Sequence, residues 1–227
     1  MTLTNRLQAV ADMVFPCDVA ADIGTDHAYI PIYLLQKGII KRAIASDVAT
    51  GPAEIARENV KKYALEDKID VVVGDGLEKI EHADIIIIAG MGGKLICDIL
   101  KKGEGVAKSA KLLILQPMTM ADVLRRYLHK EGFAICDETL AKEGGKLYNI
   151  MAVKAGTEKF DNDIYYYIGK ALVQKAHPLL GEFLRRKIYA LDRAIANMKN
   201  SSQDADKYHE FIERRKAFLE VYNDYNS

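Results

Sequence analysis

The sequence predicts an α/β domain, a doubly wound and mostly parallel sheet, followed by a purely helical segment. Three observations predict this. From residue 17 to about 155, short β-branched runs alternate with helical patterns, the order that builds a sheet from strand–helix units. The run "ADIIIIAG" (83–90) shows no polar alternation, as expected of a strand covered on both faces. After about 157 no strand pattern recurs. The expected division is therefore 1–156 for the sheet domain and 157–227 for a helical accessory domain.

The elements follow in order. "MTLTNRLQAVADMV" places Leu3, Leu7, Val10 and Val14 at helical spacing, with Thr4 or Asn5 as a cap. "CDVAADIG" reads as the first strand, with a helix over about 27–37. "RAIASDV" is the second strand, and "GPAEIARENVKKYAL" its helix, with Pro52 near the start. "IDVVVGDG" and "ADIIIIAG" are the third and fourth strands, and "MGGKLICDILKKG" the next helix. "KLLILQP" is the fifth strand, and "MADVLRRYLHKEG" a helix that ends at Gly132. "FAICDETLAKEGGKLYNIMAVKA" reads as two strands joined at Gly144-Gly145, an antiparallel hairpin that closes the sheet.

In the tail, Leu184, Ile188, Leu191, Ile195 and Met198 recur at spacings of four and three, the seam of a coiled-coil-like helical hairpin. "SSQDAD" (201–206) is its turn and cap, and Tyr208, Phe211, Phe218 and Tyr222 share one side of the last helix.

Composition narrows the function classes. Lys+Arg (32) equals Asp+Glu (32), so net charge argues neither for nor against a polyanionic partner. Cys17, Cys97 and Cys136 form no CxxC pair, which points to reduced thiols and no metal site. The start of the chain lacks a signal-peptide pattern, and "IIIIA" is too short to cross a bilayer. A soluble, cytoplasmic protein with no membrane partner is expected.

Chemistry in a doubly wound sheet is expected at the carboxyl ends of the strands. Those ends carry Gly24-Asp26, Asp47, Asp75-Gly76, "AGMGG" (89–93) and Gln116-Pro117, acids and glycines without a Lys or Arg. A dinucleotide loop offers three glycines to a pyrophosphate. Here the second and third glycine positions hold Asp26 and Ala28. A carboxylate in that loop repels phosphate and suits a cationic ligand. S-adenosylmethionine carries an ammonium and a sulfonium and no phosphate, and the loop N–H groups remain to receive its carboxylate. Asp47 lies 23 residues beyond Gly24, near the offset at which an acid grips a ribose diol. Asp75 sits where it can accept from an adenine amino group. The candidate cofactor set is Asp22, Gly24, Thr25, Asp26, His27 and Ala28, then Asp47, Val48, Asp75 and Gly76, then Gly90, Met91 and Gly92.

"ADIGTDHAYIP", "GDGLE", "IAGMGG" and "LILQP", in this order behind "RLQAVA", resemble the bacterial tRNA (adenine(22)-N(1))-methyltransferase family. The resemblance covers most of residues 1–155 by motif and the helical tail by pattern. It implies a class I methyltransferase (Rossmann-like) fold with a seven-stranded sheet, S-adenosylmethionine as methyl donor, and methylation of N1 of adenine 22 in tRNA. Many amino-directed nucleic-acid methyltransferases carry an Asn/Asp-Pro-Pro-aromatic tetrad after strand four. "AGMGG" departs from it, so close backbone approach is expected there instead.

Asp26 and Gln116 are the candidate catalytic residues, with His27 and Tyr29 as further polar helpers. For RNA contact the candidates are Arg6, Tyr29, Arg125, Arg126, Arg185, Arg186 and Lys187, with Arg214-Arg215-Lys216 as a further basic cluster. Each cluster also reads as a solvated helix face. Two other readings stay open, a small-molecule methyltransferase and a non-catalytic cofactor-binding module. The oligomeric state is open between a monomer and a weak dimer.

Overall fold

The computed structural model describes residues 1–198 and 205–226. The chain divides into two compact units, Met1–Lys159 and Phe160–Ser227. The boundary falls three residues beyond the expected one, and a local tie accounts for this. Glu158 Oε2 accepts from the Ile135 backbone N–H at 2.9 Å and lies 3.3 Å from His129 Nε2.

In the first unit, α1 (Asn5–Ala11) precedes β1 (Cys17–Ile23), α2 (Tyr29–Gln36), β2 (Ile40–Asp47), α3 (Thr50–Lys62) and β3 (Ile69–Val73). Then come β4 (Ile85–Gly92), α4 (Gly93–Lys102), α5 (Glu104–Ser109), β5 (Leu112–Thr119), α6 (Ala121–Lys130), β6 (Phe133–Glu143) and β7 (Lys146–Ala155). The seven strands form one sheet in the order β3-β2-β1-β4-β5-β7-β6.

Every neighbouring pair from β3 to β5 is parallel, whereas β7 is antiparallel to both β5 and β6. Gly144 and Gly145, with φ of 53° and 75°, turn the chain so that β7 returns between β5 and β6. Ile85, Ile86, Ile87 and Ile88 are all buried at the centre of the sheet, as their unbroken apolar run predicts. The short α5 is an element that the sequence pattern does not announce. Its six residues contain one glycine and a single buried side chain, Ala107, too little for a helical period to show.

Asp84 ties the amino ends of three strands together. Its carboxylate accepts from the Asp18 and Val19 N–H groups at 3.1 and 3.0 Å and pairs with Lys111 at 2.8 Å. The Lys111 ammonium first, then the Val19 N–H, holds this carboxyl down to about 2.

The second unit comprises α7 (Ile164–Ile168), α8 (Lys170–Gln174), α9 (Leu180–Met198) and α10 (Ala205–Asn226). The break at His177-Pro178 is real: the His177 imidazole Nδ1 accepts from the Leu179 N–H at 3.1 Å. Along the expected seam Leu184, Leu191 and Ile195 are buried and Ile188 and Met198 half-buried, and Phe218 of α10 is buried as well. The two helices pack together, and Arg185 donates to the Tyr222 hydroxyl at 3.3 Å while Arg215 pairs with Asp192. Of the expected turn "SSQDAD", residues 201–204 lie outside the described residues, and Asp206 stands in the first turn of α10. No helix among the described residues is long and apolar enough to cross a membrane.

Candidate active site

The loop after β1 is shaped from below. The Gly24 and Thr25 N–H groups both donate to the Ser46 carbonyl of β2, at 2.8 and 2.9 Å. Gly24 takes a φ of 75° to make that turn. These two loop donors are therefore spent on the protein itself. The expectation that they receive a ligand carboxylate is corrected accordingly. Ala28 ends the loop in the left-handed region, φ 53°, as the fully buried N-cap of α2. A glycine would take that conformation without strain, so the third glycine position of a dinucleotide loop keeps its backbone shape while its side chain has changed.

Beneath the turn, the Asp22 carboxylate accepts from the Thr25 hydroxyl at 2.7 Å and is 7% exposed. Burial pushes its carboxyl up to about 6; the Thr25 hydrogen bond opposes this and the charge of Asp47 adds to it. Asp26 lies at the rim, its side chain 70% exposed, with His27 Nε2 3.2 Å from its Oδ2. The His27 and Tyr29 rings stack, 4.8 Å between centroids and 6° from parallel. Together with Arg6 of α1 and with Ala89 and Gly90 of β4, these residues line a cleft of about 330 Å³. That is the scale of a small-molecule site.

The wall formed by β4 has its own device. Pairing of β4 with β5 slips between Ala89 and Met91 and again between Met91 and Gly92. Pro117, opposite Met91, has no N–H to continue the ladder. The Gln116 side chain takes over: its Oε1 accepts from the Gly90 N–H at 3.1 Å and from Arg6 Nη1 at 2.6 Å. Met91 turns back over the β1 loop, its methyl placed where a Cβ on Gly24 would stand.

The other acids lie on neighbouring strands. Asp47 Oδ1 accepts from the Ala49 N–H at 2.9 Å, and Val48 beside it is exposed. Asp75 pairs with Lys102 at 2.7 Å and lines a second hollow of about 410 Å³. Gly76 packs against Ile99. Asp75 and Gly76 do not line the first cleft, whereas Asp22, Gly24, Thr25, Asp26, His27, Ala28 and Gly90 do.

Known proteins resemble this chain both in sequence and in fold. A family model described as a methyltransferase domain matches residues 3–151. The tRNA (adenine(22)-N(1))-methyltransferase of Bacillus subtilis (strain 168) is 35% identical, over 97% of both chains. The chain belongs to the tRNA (adenine(22)-N(1))-methyltransferase family.

Solved structures of that family are similar to this chain. The B. subtilis M1A22 tRNA methyltransferase superposes with a TM-score of 0.89 at 32% identity, covering 97% of this chain and 99% of that one. An M. capricolum relative, solved with the cofactor product S-adenosyl-homocysteine, gives 0.84 at 27%, covering 98% and 99%.

In this tRNA methyltransferase family member two expected roles are corrected. Arg125 is fully buried. It pairs with Glu138 at 2.7 Å and donates to Asn149 Oδ1 at 3.0 Å, so it braces α6 against the β6–β7 hairpin and does not meet RNA. Gln116 is also fully buried, with its carbonyl oxygen taken by two donors, so it does not touch substrate. Arg126 is exposed on the same helix. Arg185 bonds Tyr222, Arg186 pairs with Glu182 at 2.5 Å, and the Lys187 ammonium lies over Phe183. Arg214 stacks 4.0 Å over the Tyr167 ring and donates to its hydroxyl. Tyr29, at 39% exposure, lines the cleft beside His27.

Sequence reasoning missed Ser46 and Glu143. Ser46 acts through its carbonyl, which every residue has. Glu143 accepts from the Arg6 N–H at 2.9 Å, across a sequence gap no local pattern spans.

Proposed function

We propose that this protein transfers a methyl group from S-adenosylmethionine to N1 of adenine 22 in tRNA. One observation carries the choice of cofactor: the β1 loop spends its Gly24 and Thr25 N–H groups on Ser46 while holding the Asp22 carboxylate beneath them. A phosphate would find no free donor at those two positions and a negative charge below; an ammonium finds a partner. When bound, the cofactor supplies a methyl group on a cationic sulfur.

Asp22 and the rim of the β1 loop hold the amino-acid end in this reading, Asp47 the ribose, and Asp75 the adenine after exchanging its Lys102 partner. Val48, Gly76, Met91 and Gly92 complete the walls around it. The target N1 has an in-plane lone pair that is largely unprotonated near neutral pH, so catalysis is chiefly positioning. Positive charge moves onto the base as the bond forms, and Asp26 at the cleft rim stabilises it. N1 is engaged in base pairing, so the adenine must leave its stack; the His27–Tyr29 platform offers an aromatic face beside the cleft. Residues 160–227 act as the accessory domain, with Arg185, Arg186 and Lys187 as its phosphate contacts; Arg126 is the candidate contact on the first unit. Arg214 and Arg215 are committed to Tyr167 and Asp192 and hold the helices together.

The test is direct. The protein is incubated with methyl-labelled S-adenosylmethionine and unmodified tRNA, and the labelled nucleoside is mapped. The expected product is N1-methyladenosine at position 22. Label elsewhere, or none despite cofactor binding, refutes the reading.

A further inference from the structure

Arg6 stands beside the cleft and reads naturally as a cation waiting for RNA phosphate. Its contacts describe something else. One guanidinium nitrogen, Nη1, donates to Gln116 Oε1 at 2.6 Å. Nε lies 3.9 Å from Glu143 Oε1, the backbone N–H donates to Glu143 Oε2 at 2.9 Å, and the guanidinium sits 5.7 Å above the Tyr148 ring. The Glu143 carboxyl is held below its ordinary range by the Thr4 hydroxyl first and the Arg6 N–H second, so its charge stays available to Arg6. Gln116 in turn holds the Gly90 N–H, at the point where Pro117 interrupts the strand ladder. Gly90 has a φ of 81° and lines the cleft.

We infer that Arg6 is a positioning residue for methyl transfer: acting through Gln116, it fixes the peptide at Gly90 that forms one wall of the reaction cleft. This rests on the methyl-transfer reading above. Gly90 has no side chain to wedge it, and its ladder partner is missing. Its orientation therefore leans on one buried amide oxygen, which Arg6 Nη1 holds by a charge-assisted bond, while the amide nitrogen has only the weak Met118 Sδ acceptor at 3.5 Å. A wall misplaced by about 1 Å costs on the order of 100-fold in rate, while affinity for an RNA bound over a wide surface is little affected.

The experiment is steady-state kinetics on tRNA with Arg6→Met, Gln116→Met, the double variant, and the exchange pair Arg6→Lys/Gln116→Glu. Cofactor affinity of each is measured by calorimetry. Expected for both single variants is a kcat lowered by about 10- to 100-fold, with KM for tRNA and cofactor affinity within about threefold. Because the residues act in series, the double variant is expected to be no slower than the worse single variant. The exchange pair, which keeps a charged contact and an acceptor for Gly90, is expected to recover kcat over Arg6→Met. That recovery also separates positioning from simple loss of fold.

Three results overturn the inference. One is multiplicative kcat losses in the double variant. Another is an exchange pair no faster than Arg6→Met. The third is a raised KM with the salt slope of tRNA binding reduced by about one in Arg6→Met, the mark of a lost phosphate contact. Wild-type protein that transfers no methyl to tRNA brings down the underlying reading instead, and that is known before any variant is made.

Discussion

The Thr25 hydroxyl donates to the Asp22 carboxylate at 2.7 Å, within a single turn of backbone. Despite that bond, burial lifts the Asp22 carboxyl from 3.8 to about 6. The folded protein thus holds this proton more tightly than the unfolded chain. The resulting stability is fully present below pH 3.8 and is lost as pH rises through about 6. Asp22→Asn is therefore expected to raise thermal stability at pH 8 by about 1–3 kcal/mol and to leave it unchanged at pH 3. The same substitution is expected to weaken S-adenosylmethionine binding at least about tenfold. For the wild type, calorimetric affinity is expected to rise with pH across about 6, because a cationic ligand binds the ionised acid. A flat profile would remove Asp22 from the ligand's surroundings.

Arg125 and Glu138 form a fully buried pair. Removing one partner strands a charge, so Glu138→Ala is expected to cost about 3–5 kcal/mol. Arg125→Met/Glu138→Leu, which removes both charges, is expected to recover most of that. The salt slope of tRNA binding should not change in either variant. A slope lowered by about one in the double variant would return Arg125 to the RNA surface.

Asp84 shows the opposite sign to Asp22. Its carboxyl is held at about 2 by Lys111 and by the Val19 and Asp18 N–H groups. The stability it contributes is present above the ordinary 3.8 and is lost as pH falls towards 2. Asp84→Ala leaves two strand N–H groups without their acceptor and is expected to cost about 2–3 kcal/mol at pH 7. Acid titration followed by circular dichroism should show the variant losing less stability than the wild type between pH 4 and pH 2, if the carboxylate is the source.

Two glycines separate stability from ligand binding. A Cβ on Gly93 would stand 2.4 Å from the Met120 carbonyl oxygen, which belongs to the backbone leading into α6. Gly93→Ala, which must displace backbone, is expected to destabilise the fold by about 3 kcal/mol or more. On Gly24 the Cβ meets only the Met91 methyl, at 2.1 Å, and that side chain can swing away. The left-handed φ of Gly24 adds about 1–2 kcal/mol. Gly24→Ala is expected to melt within a few degrees of wild type yet to lose cofactor affinity. Equal melting losses in the two variants would contradict this ordering.

Whatever is periodic or local in the chain was legible beforehand. The buried run Ile85–Ile88, the Gly144-Gly145 turn, the seam from Leu184 to Ile195 and the acids at the strand ends all carry a signature within a few residues. What escaped depends on partners distant in sequence. Arg125 reads as basic surface until Glu138, 13 residues away, closes over it. Asp75 reads as a ligand acceptor, and nothing near it in the sequence announces its ion pair with Lys102, 27 residues on. Gln116 reads as a catalytic amide until Gly90 and Arg6 claim its oxygen. Side chains of this kind are assigned by tertiary packing, to which hydrophobic spacing is blind.

The first helix is sewn to the last hairpin of its unit. Asn5 donates to the Lys142 carbonyl and Arg6 to Glu143, each across 137 residues. A ribosome adding about 5–20 residues per second needs roughly 7–27 s to make that span. Through all of it the helix can rest on α2, where Gln8 meets Tyr33, but its partners Lys142 and Glu143 are still missing. The β1 loop can form early, but the wall at Gly90 is fixed only once the hairpin has emerged. The cleft is thus finished late in synthesis.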